Sequence, residues 1–143
     1  MTPRIFIDSS VLFSAANSAK GHSRDLMVLS ANGEVNLVLS DFVLEETIRN
    51  LSQLKQPPLA ELELLIVNAN IEVVKINKEA VLDAGKLVVL KDAPIIAAAK
   101  FAKVDMLVSL DKKHILNHPE LETYIKASIF TPAEVFQKLK ANK

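Results

Sequence analysis

Four acidic positions in this chain have the types and spacing of a metal site. Asp8 ends an apolar run, and Asp111 closely follows another. Asp92 opens a helix-like stretch, and a glutamate, Glu45 or Glu46, lies on an amphipathic segment. Ligands of open α/β sheets bind at the carboxyl ends of the strands, where converging carboxylates repel one another unless a cation neutralises them. Oxygen-only ligand sets suit Mg²⁺ or Mn²⁺, so the acids predict a metal site and suggest phosphate chemistry.

Each acid also has a purely structural explanation. Asp92 would be a good N-cap of a helix, and Asp8 and Asp111 would serve in turns, where their side chains bond nearby backbone. The glutamates would serve as solvated helix residues. A single shared site explains the arrangement better, because two of the acids close strands, one opens a helix beside them and one lies on a helix after the second strand.

The elements that must position these acids alternate between strands and helices. Five apolar segments have the length and residue types of strands, namely residues 4–8, 35–39, 71–76, 105–109 and 126–130. Helix signals cover residues 11–16, 24–31, 42–51, 58–67, 78–90, 92–103 and 132–140. The expected N-caps are Ser23, Ser40 or Asp41, and Asn77, with a capping box formed by Thr131 and Glu134. This alternation predicts a three-layer α/β/α sandwich with a mainly parallel central sheet of about five strands.

Composition supports that architecture and bounds the function. Half of the 143 residues are hydrophobic and only 5% are aromatic, so the core must consist mostly of Val, Leu, Ile and Ala, as in parallel sheets covered on both faces. The length fits one domain spanning residues 1–143. The formal net charge of zero counts against a dedicated nucleic-acid-binding module, and the absence of cysteine excludes thiolate catalysis and Cys-ligated zinc.

The expected location is the cytoplasm. The chain starts Met-Thr-Pro-Arg and leads directly into a strand, without the basic and apolar regions of a signal peptide. Its apolar runs fall short of the roughly twenty residues that a membrane span needs, so no contact with a membrane is expected. The absence of cysteine fits a reducing compartment.

Four segments carry a resemblance to a known family. In chain order they are FIDSSVL (6–12), LS followed by VLEE (39–46), KDAPIIAAA (91–99) and LVSLDK (107–112). In order and separation they resemble the signature segments of the PIN-domain nucleases, which include PilT N-terminus-like and VapC-toxin-like proteins. The last two segments together are the most specific, and the resemblance spans nearly the whole chain.

The resemblance implies roles for individual residues. The implied ligands of one or two Mg²⁺ or Mn²⁺ ions are Asp8, Glu46, Asp92 and Asp111. Glu46 is preferred over Glu45 because the family pattern follows its acid with an apolar or β-branched residue, here Thr47, but the two are adjacent and Glu45 stays open as a ligand or supporting group. Ser10 and Ser109 match small polar positions of the family and are expected to orient carboxylates or water.

The implied activity is metal-dependent hydrolysis of phosphodiester bonds in single-stranded RNA, because bound cations activate water and offset charge on the phosphate. The family includes toxins of toxin–antitoxin pairs and RNA-processing enzymes, so a protein antitoxin is an expected partner and a homodimer an expected assembly. Basic residues are expected to contact RNA phosphates or else to be solvated: Lys112, Lys113 and Arg24, with the neighbouring His114.

Two other functions stay open. The first is an aspartate-dependent phosphatase-like hydrolase with Asp8 as nucleophile, which is disfavoured because Ser10 stands where such loops carry a second acid. The second is a module that keeps the fold, binds RNA or protein and lacks activity. Because all four acids are present, the sequence gives no sign of such a loss, although function has to be argued from the site rather than from the fold.

Overall fold

A parallel sheet positions the acidic residues in the computed structural model, which describes residues 2–88 and 92–141. Its strands are β1 (Arg4–Ile7), β2 (Asn36–Ser40), β3 (Glu72–Val74), β4 (Met106–Val108) and β5 (Ser128–Phe130). They lie in the order β3-β2-β1-β4-β5, and all neighbouring strands run parallel. The chain therefore adds strands on one side of β1 and then on the other, and this reversal creates the crevice where ligands of open α/β sheets bind.

Helices connect these strands, because parallel strands need a crossover connection, which is usually a helix. In the described residues they are α1 (Ser9–Asn17), α2 (His22–Ala31), α3 (Asp41–Leu51), α4 (Leu59–Asn68), α5 (Lys78–Ala84), α6 (Ala93–Ala102), α7 (Pro119–Ile125) and α8 (Pro132–Ala141). The expected three-layer α/β/α sandwich with a parallel sheet is confirmed. No helix among the described residues combines the length and the apolar character that crossing a bilayer would take.

The core consists mostly of aliphatic side chains on both faces of the central strands. Ile5, Phe6 and Ile7 of β1 are fully buried although they point alternately to opposite faces, because helices cover both. Strand β1 pairs with β4 through Ile5 opposite Met106, Phe6 opposite Leu107 and Ile7 opposite Val108. This register brings the residues that follow Ile7 and Val108 to the same edge of the sheet.

Local signals predicted several helix ends correctly. The Ser40 side chain accepts a hydrogen bond from the Val43 N–H and caps α3, and Asn77 caps α5 in the same way through the Ala80 N–H. The capping box forms as expected: the Thr131 N–H donates to Glu134 Oε1 at 2.9 Å, and the Glu134 N–H donates to Thr131 Oγ1 at 3.2 Å. Each of these contacts joins residues that are three positions apart, so the sequence alone was sufficient to predict it.

Three expectations about helices need correction or completion. Ser23 is buried inside α2 instead of capping it, because the helix begins at His22, two residues earlier than expected, and Gly21 takes the N-cap with a φ of 107° that favours glycine. Helix α7 was not expected, because seven residues are too few to show a period. The helix expected over residues 78–90 ends at Ala84, and residues 89–91, which include Lys91 of the third motif segment, lie outside the described residues.

Candidate active site

Asp8 lies at the carboxyl end of β1, where it also caps α1. Its Oδ1 accepts hydrogen bonds from the Val11 N–H at 3.2 Å and from the Ser10 hydroxyl, and its Oδ2 accepts one from the Ser109 hydroxyl. The residue is only 3% exposed. Burial raises the pKa of Asp8 to about 6, and the hydrogen bonds from Ser10, Ser109 and the backbone offset part of that effect. The ionised carboxylate is therefore costly in this position unless positive charge is nearby.

The two serines join the loops that follow β1 and β4. The Ser109 hydroxyl accepts a hydrogen bond from the Asp111 N–H at 3.0 Å while it donates to Asp8. The Ser10 hydroxyl accepts one from the Leu110 N–H at 3.1 Å while it also donates to Asp8. Each hydroxyl therefore uses both its donor and an acceptor site to fix Asp8 relative to the loop that carries Asp111.

Asp111 lies in that loop with one oxygen engaged and the other directed at its neighbours. Its Oδ1 accepts hydrogen bonds from the N–H groups of Lys113 and His114 at 3.1 and 3.0 Å. Its Oδ2 lies 3.5 Å from His114 Nδ1, which in turn lies 3.8 Å from Asp92 Oδ2. Asp92 is buried at the start of α6, and its side chain makes no capping hydrogen bond to that helix. One ligand atom from each of these three residues falls within 4.8 Å of the others.

Glu46 approaches the same region from α3. Its Oε1 accepts a hydrogen bond from the Ser9 hydroxyl on α1, which packs against α3. Glu46 is half-buried and faces the crevice, whereas Glu45 is exposed on the helix surface. Because adjacent helix residues point about 100° apart, only one member of this pair can face the other acids.

The four acids line one cavity of about 670 Å³ at the carboxyl edge of the sheet. The remaining lining residues are Ser9, Ser10, Phe13, Asn50, Gln53, Leu54 and Ile95. Within the described residues, no lysine or arginine lies within ion-pair distance of Asp8, Glu46 or Asp111. Three carboxylates without a lysine or arginine partner, one of them with a raised pKa, have the donor chemistry that a divalent oxygen-seeking cation requires.

The expected substrate-contacting residues lie at different places. Lys112 and Lys113 are exposed in the turn that directly follows Asp111. Arg24 is engaged between helices: its Nη1 pairs with Glu61 at 2.9 Å, and its Nε donates to the Ala15 carbonyl at 2.8 Å. Both lysines follow Asp111 directly in the chain, whereas the Arg24 guanidinium lies in a contact that links α2 to α4 and α1.

Sequence reasoning assigned no role to several lining residues. Asn50 lies four residues after Glu46 on α3, and Phe13 lies four residues after Ser9 on α1, so both share a helix face with a residue of the site. That spacing was the signal by which they could have been found. His114 was grouped with the lysines as a basic residue, whereas its ring lies next to two of the acids.

Comparisons with known proteins agree with this arrangement. A family model described as PIN domain matches residues 5–120. Similar solved structures include the protein PAE2754 from Pyrobaculum aerophilum, with 18% identity, coverage of 97% of this chain and 90% of that one, and a TM-score of 0.64. VapBC2 from Rickettsia felis, solved with a DNA fragment from its promoter, has 17% identity, coverage of 77% and 89%, and a TM-score of 0.60.

A third similar structure is VapC20 from Mycobacterium tuberculosis, described as a toxin that cleaves the sarcin-ricin loop. It has 16% identity, coverage of 76% of this chain and 91% of that one, and a TM-score of 0.58. No curated protein matches the chain in sequence. At these identities the solved structures show a shared fold, while the family model also covers the segments that carry the four acids.

Proposed function

This chain belongs to the PIN domain family, and from that premise we propose that it is a metal-dependent endoribonuclease that hydrolyses phosphodiester bonds of single-stranded RNA. One observation carries the proposal: four carboxylates on four separate segments line one cavity, and Asp8, Glu46 and Asp111 have no lysine or arginine partner among the described residues. Such a set repels itself unless a cation is bound. VapC20, which has the same fold, is described as a toxin that cleaves the sarcin-ricin loop, and this supports RNA as the proposed substrate.

The residues that would hold Mg²⁺ or Mn²⁺, as one ion or two, are Asp8, Glu46, Asp92 and Asp111. When bound, such ions lower the pKa of water and offset negative charge on the phosphoryl oxygens. The serine hydroxyls hold Asp8 in one orientation, so that both of its oxygens stay fixed relative to Asp111. Fixed carboxylates bind cations more tightly than mobile ones because no reorganisation is needed.

The rest of the cavity suits a nucleotide next to the scissile phosphate. Phe13, Leu54 and Ile95 offer apolar surface for a base or a sugar, and the amides of Asn50 and Gln53 can hydrogen-bond to a base edge. No stacking platform of several aromatic rings lines the cavity in the described residues, so we propose recognition of few nucleotides rather than a long tract.

The test is cleavage of a mixed-sequence single-stranded RNA by purified protein with Mn²⁺, with Mg²⁺ and with EDTA, beside the Asp8→Asn variant. We expect cleavage with either metal, none with EDTA and none in the variant. Metal-independent cleavage, or full activity of the variant, would contradict the proposal. A folded protein that binds RNA but cleaves nothing under any metal would favour the inactive binding module instead.

We further propose that Lys112 and Lys113 contact the RNA backbone at the edge of the cavity, because both are exposed directly after Asp111. Lys112→Ala should weaken RNA binding a fewfold and lower its salt dependence, because one phosphate contact is lost. Metal affinity should stay unchanged, and a changed metal affinity would contradict this role. Arg24 would contribute only if its pairing with Glu61 were released, so Arg24→Ala serves as a comparison variant.

For the biological setting, we propose a toxin controlled by a protein antitoxin, with RNA processing as the competing role. The similarity to VapBC2 and VapC20 supports the toxin. A small DNA-binding protein encoded next to this chain should form a complex with it and inhibit RNA cleavage. Absence of such a neighbour would favour RNA processing, without affecting the proposed chemistry.

We also propose a homodimer. Leu59, Leu64 and Val67 on α4 are 39%, 57% and 65% exposed, which is much apolar surface for one helix, and a second copy could cover it. Light scattering at micromolar concentration should give twice the mass of one chain. Leu64→Lys should then produce monomers, and a wild-type protein that is already monomeric would contradict the proposal.

A further inference from the structure

The imidazole of His114 lies where a nitrogen ligand would complete the acidic site. Its Nδ1 is 3.5 Å from Asp111 Oδ2 and 3.8 Å from Asp92 Oδ2. Both distances exceed the usual range of about 2.7–3.2 Å for a hydrogen bond to oxygen. They fit two ligands of one ion, because ligands held at about 2.1 Å cannot be more than about 4.2 Å apart.

Backbone hydrogen bonds hold the turn that carries this ring and leave one oxygen of Asp111 directed at it. The His114 N–H and the Lys113 N–H both donate to Asp111 Oδ1, so the turn that carries the ring is bonded to the carboxylate. Asp111 Oδ2 is thereby left on the side of His114. The His114 side chain is 29% exposed, so an ion can reach it from solvent.

The other two histidines of the chain are engaged elsewhere. His118 has Nδ1 at 3.1 Å from Glu120 Oε1 and Nε2 at 3.0 Å from the Lys113 carbonyl oxygen. His22 packs against the ring of Phe136, with 5.7 Å between ring centres. With only three histidines in the sequence, a nitrogen signal from a bound metal can be assigned to one residue by substitution.

We infer that His114 is a metal ligand and that this site therefore prefers Mn²⁺, or a later first-row ion such as Co²⁺, over Mg²⁺. The inference rests on the proposed metal site and adds a nitrogen donor to its oxygen donors. Imidazole suits transition metals, whereas Mg²⁺ takes oxygen ligands almost exclusively. A purely carboxylate site would discriminate less between Mg²⁺ and Mn²⁺.

The same geometry allows one competing role. A protonated His114 could neutralise Asp92 and Asp111 in the absence of metal and would then compete with every cation. The two roles make opposite predictions. Replacing a ligand weakens binding of the ion that uses it, whereas replacing a competing positive charge strengthens binding of all divalent ions.

The experiment is pulsed electron paramagnetic resonance of Mn²⁺ bound to the untagged protein, together with calorimetric affinities for Mn²⁺ and Mg²⁺. The wild type should show nitrogen coupling of one imidazole, and His114→Gln should abolish it, while His22→Gln and His118→Gln retain it. His114→Gln should lower Mn²⁺ affinity about tenfold and change Mg²⁺ affinity much less, because a nitrogen ligand becomes an oxygen ligand.

The failures of the two proposals are distinguishable. Mn²⁺ binding without nitrogen coupling would overturn the role of His114 and leave the carboxylate site intact, as would a gain in affinity for both ions in His114→Gln. Coupling that persists in His114→Gln would assign the nitrogen to another residue and also overturn the inference. Absence of any Mn²⁺ or Mg²⁺ binding would overturn both the inference and the proposed nuclease. If His114→Gln fails to fold, coupling of one imidazole that persists in both His22→Gln and His118→Gln still assigns the nitrogen to His114, because the sequence has only three histidines.

Discussion

Acidic residues lie at both ends of the parallel sheet, but the groups that contact their carboxylates differ between the two ends. At the amino end, the Arg4 guanidinium pairs with Glu72 at 3.0 Å, and the Arg4 N–H donates to Asp105 Oδ2 at 2.8 Å. At the carboxyl end, Asp8 receives hydrogen bonds from two hydroxyls and a backbone N–H, none of which is charged. The pKa of Glu72 is lowered by the hydrogen bond from Arg4, whereas the pKa of Asp8 is raised to about 6 by burial.

This difference in contacts distinguishes acids with a structural role at the amino end from acids that could bind a cation at the carboxyl end. At the amino end the Arg4 guanidinium neutralises Glu72, and the Arg4 backbone N–H donates to Asp105, so both acids have a partner within the chain. At the carboxyl end the chain orients the Asp8 carboxylate by hydrogen bonds from uncharged groups, which do not neutralise it. Orientation combined with missing positive charge is the property that a cation site needs, and the number of acids alone would not reveal it.

The largest effect should come from removing one charge at each end in turn. We expect Asp92→Asn to reduce metal-dependent RNA cleavage by on the order of 100-fold or more, because even groups that only support a ligand change activity 10- to 100-fold. Asp105→Asn, at the opposite end, should leave cleavage unchanged. Initial rates with saturating Mn²⁺ measure both, and circular dichroism confirms that each variant is folded.

Equal losses of RNA cleavage in the two variants would contradict the proposed difference between the two ends of the sheet. If Asp105→Asn reduced cleavage as strongly as Asp92→Asn, the acids at the two ends would have to act through a common effect on the fold. If neither variant changed cleavage, the acidic cavity would not be the site of reaction.

The sequence was sufficient to predict the positions of the acids, because their positions follow from the strands. A buried apolar run followed by an acid gives a strand with its acid at the carboxyl end, and parallel pairing then brings Asp8 and Asp111 to the same edge. The capping box of Thr131 and Glu134 was predictable for a related reason, since its contacts lie within one turn. The parallel fold itself followed from the alternation of elements.

The sequence was not sufficient to predict side-chain partners that come from distant segments. The hydroxyl of Ser9 reaches Glu46 across 37 positions, and Arg24 reaches Glu61 across the same separation. Both contacts depend on how helices pack, which no local pattern encodes. The approach of His114 to Asp92 likewise depends on the turn after β4 and on the start of α6. The expectation that Arg24 contacts the substrate therefore rested only on its positive charge.

The next effect is the pH dependence of the free energy of unfolding, which should have opposite signs for the acids at the two ends of the sheet. Between about pH 4 and pH 6, the folded protein keeps a proton on Asp8 that the unfolded chain has released, because the folded pKa is about 6 and the ordinary value is 3.8. The free energy of unfolding of the metal-free protein should therefore fall by about 2–3 kcal/mol as the pH rises through this window. Asp8→Asn should lack that fall.

Urea unfolding in EDTA at pH 4, 5, 6 and 7 measures this difference between wild type and Asp8→Asn. The difference should be largest at pH 7, with the variant more stable, and added Mn²⁺ should stabilise only the wild type. A wild type that becomes more stable relative to the variant as the pH rises would mean that Asp8 is neutralised within the chain, as Glu72 is.

The smallest effect should come from the amino end, where the ion pair is solvated. The pKa of Glu72 is lowered, so the stabilisation by Arg4 is present above the ordinary pKa of a glutamate and is lost as the pH falls. The side chain of Glu72 is 51% exposed, so Glu72→Gln should cost no more than about 1 kcal/mol at pH 7. High salt should reduce this cost further because the pair is screened. Urea unfolding at low and high salt measures it, with RNA cleavage expected to be unchanged. A loss of several kcal/mol in the free energy of unfolding, or a loss of cleavage, would show that the amino end of the sheet is coupled to the acidic cavity. The proposed difference between an end that is neutralised by Arg4 and an end that binds a cation would then be wrong.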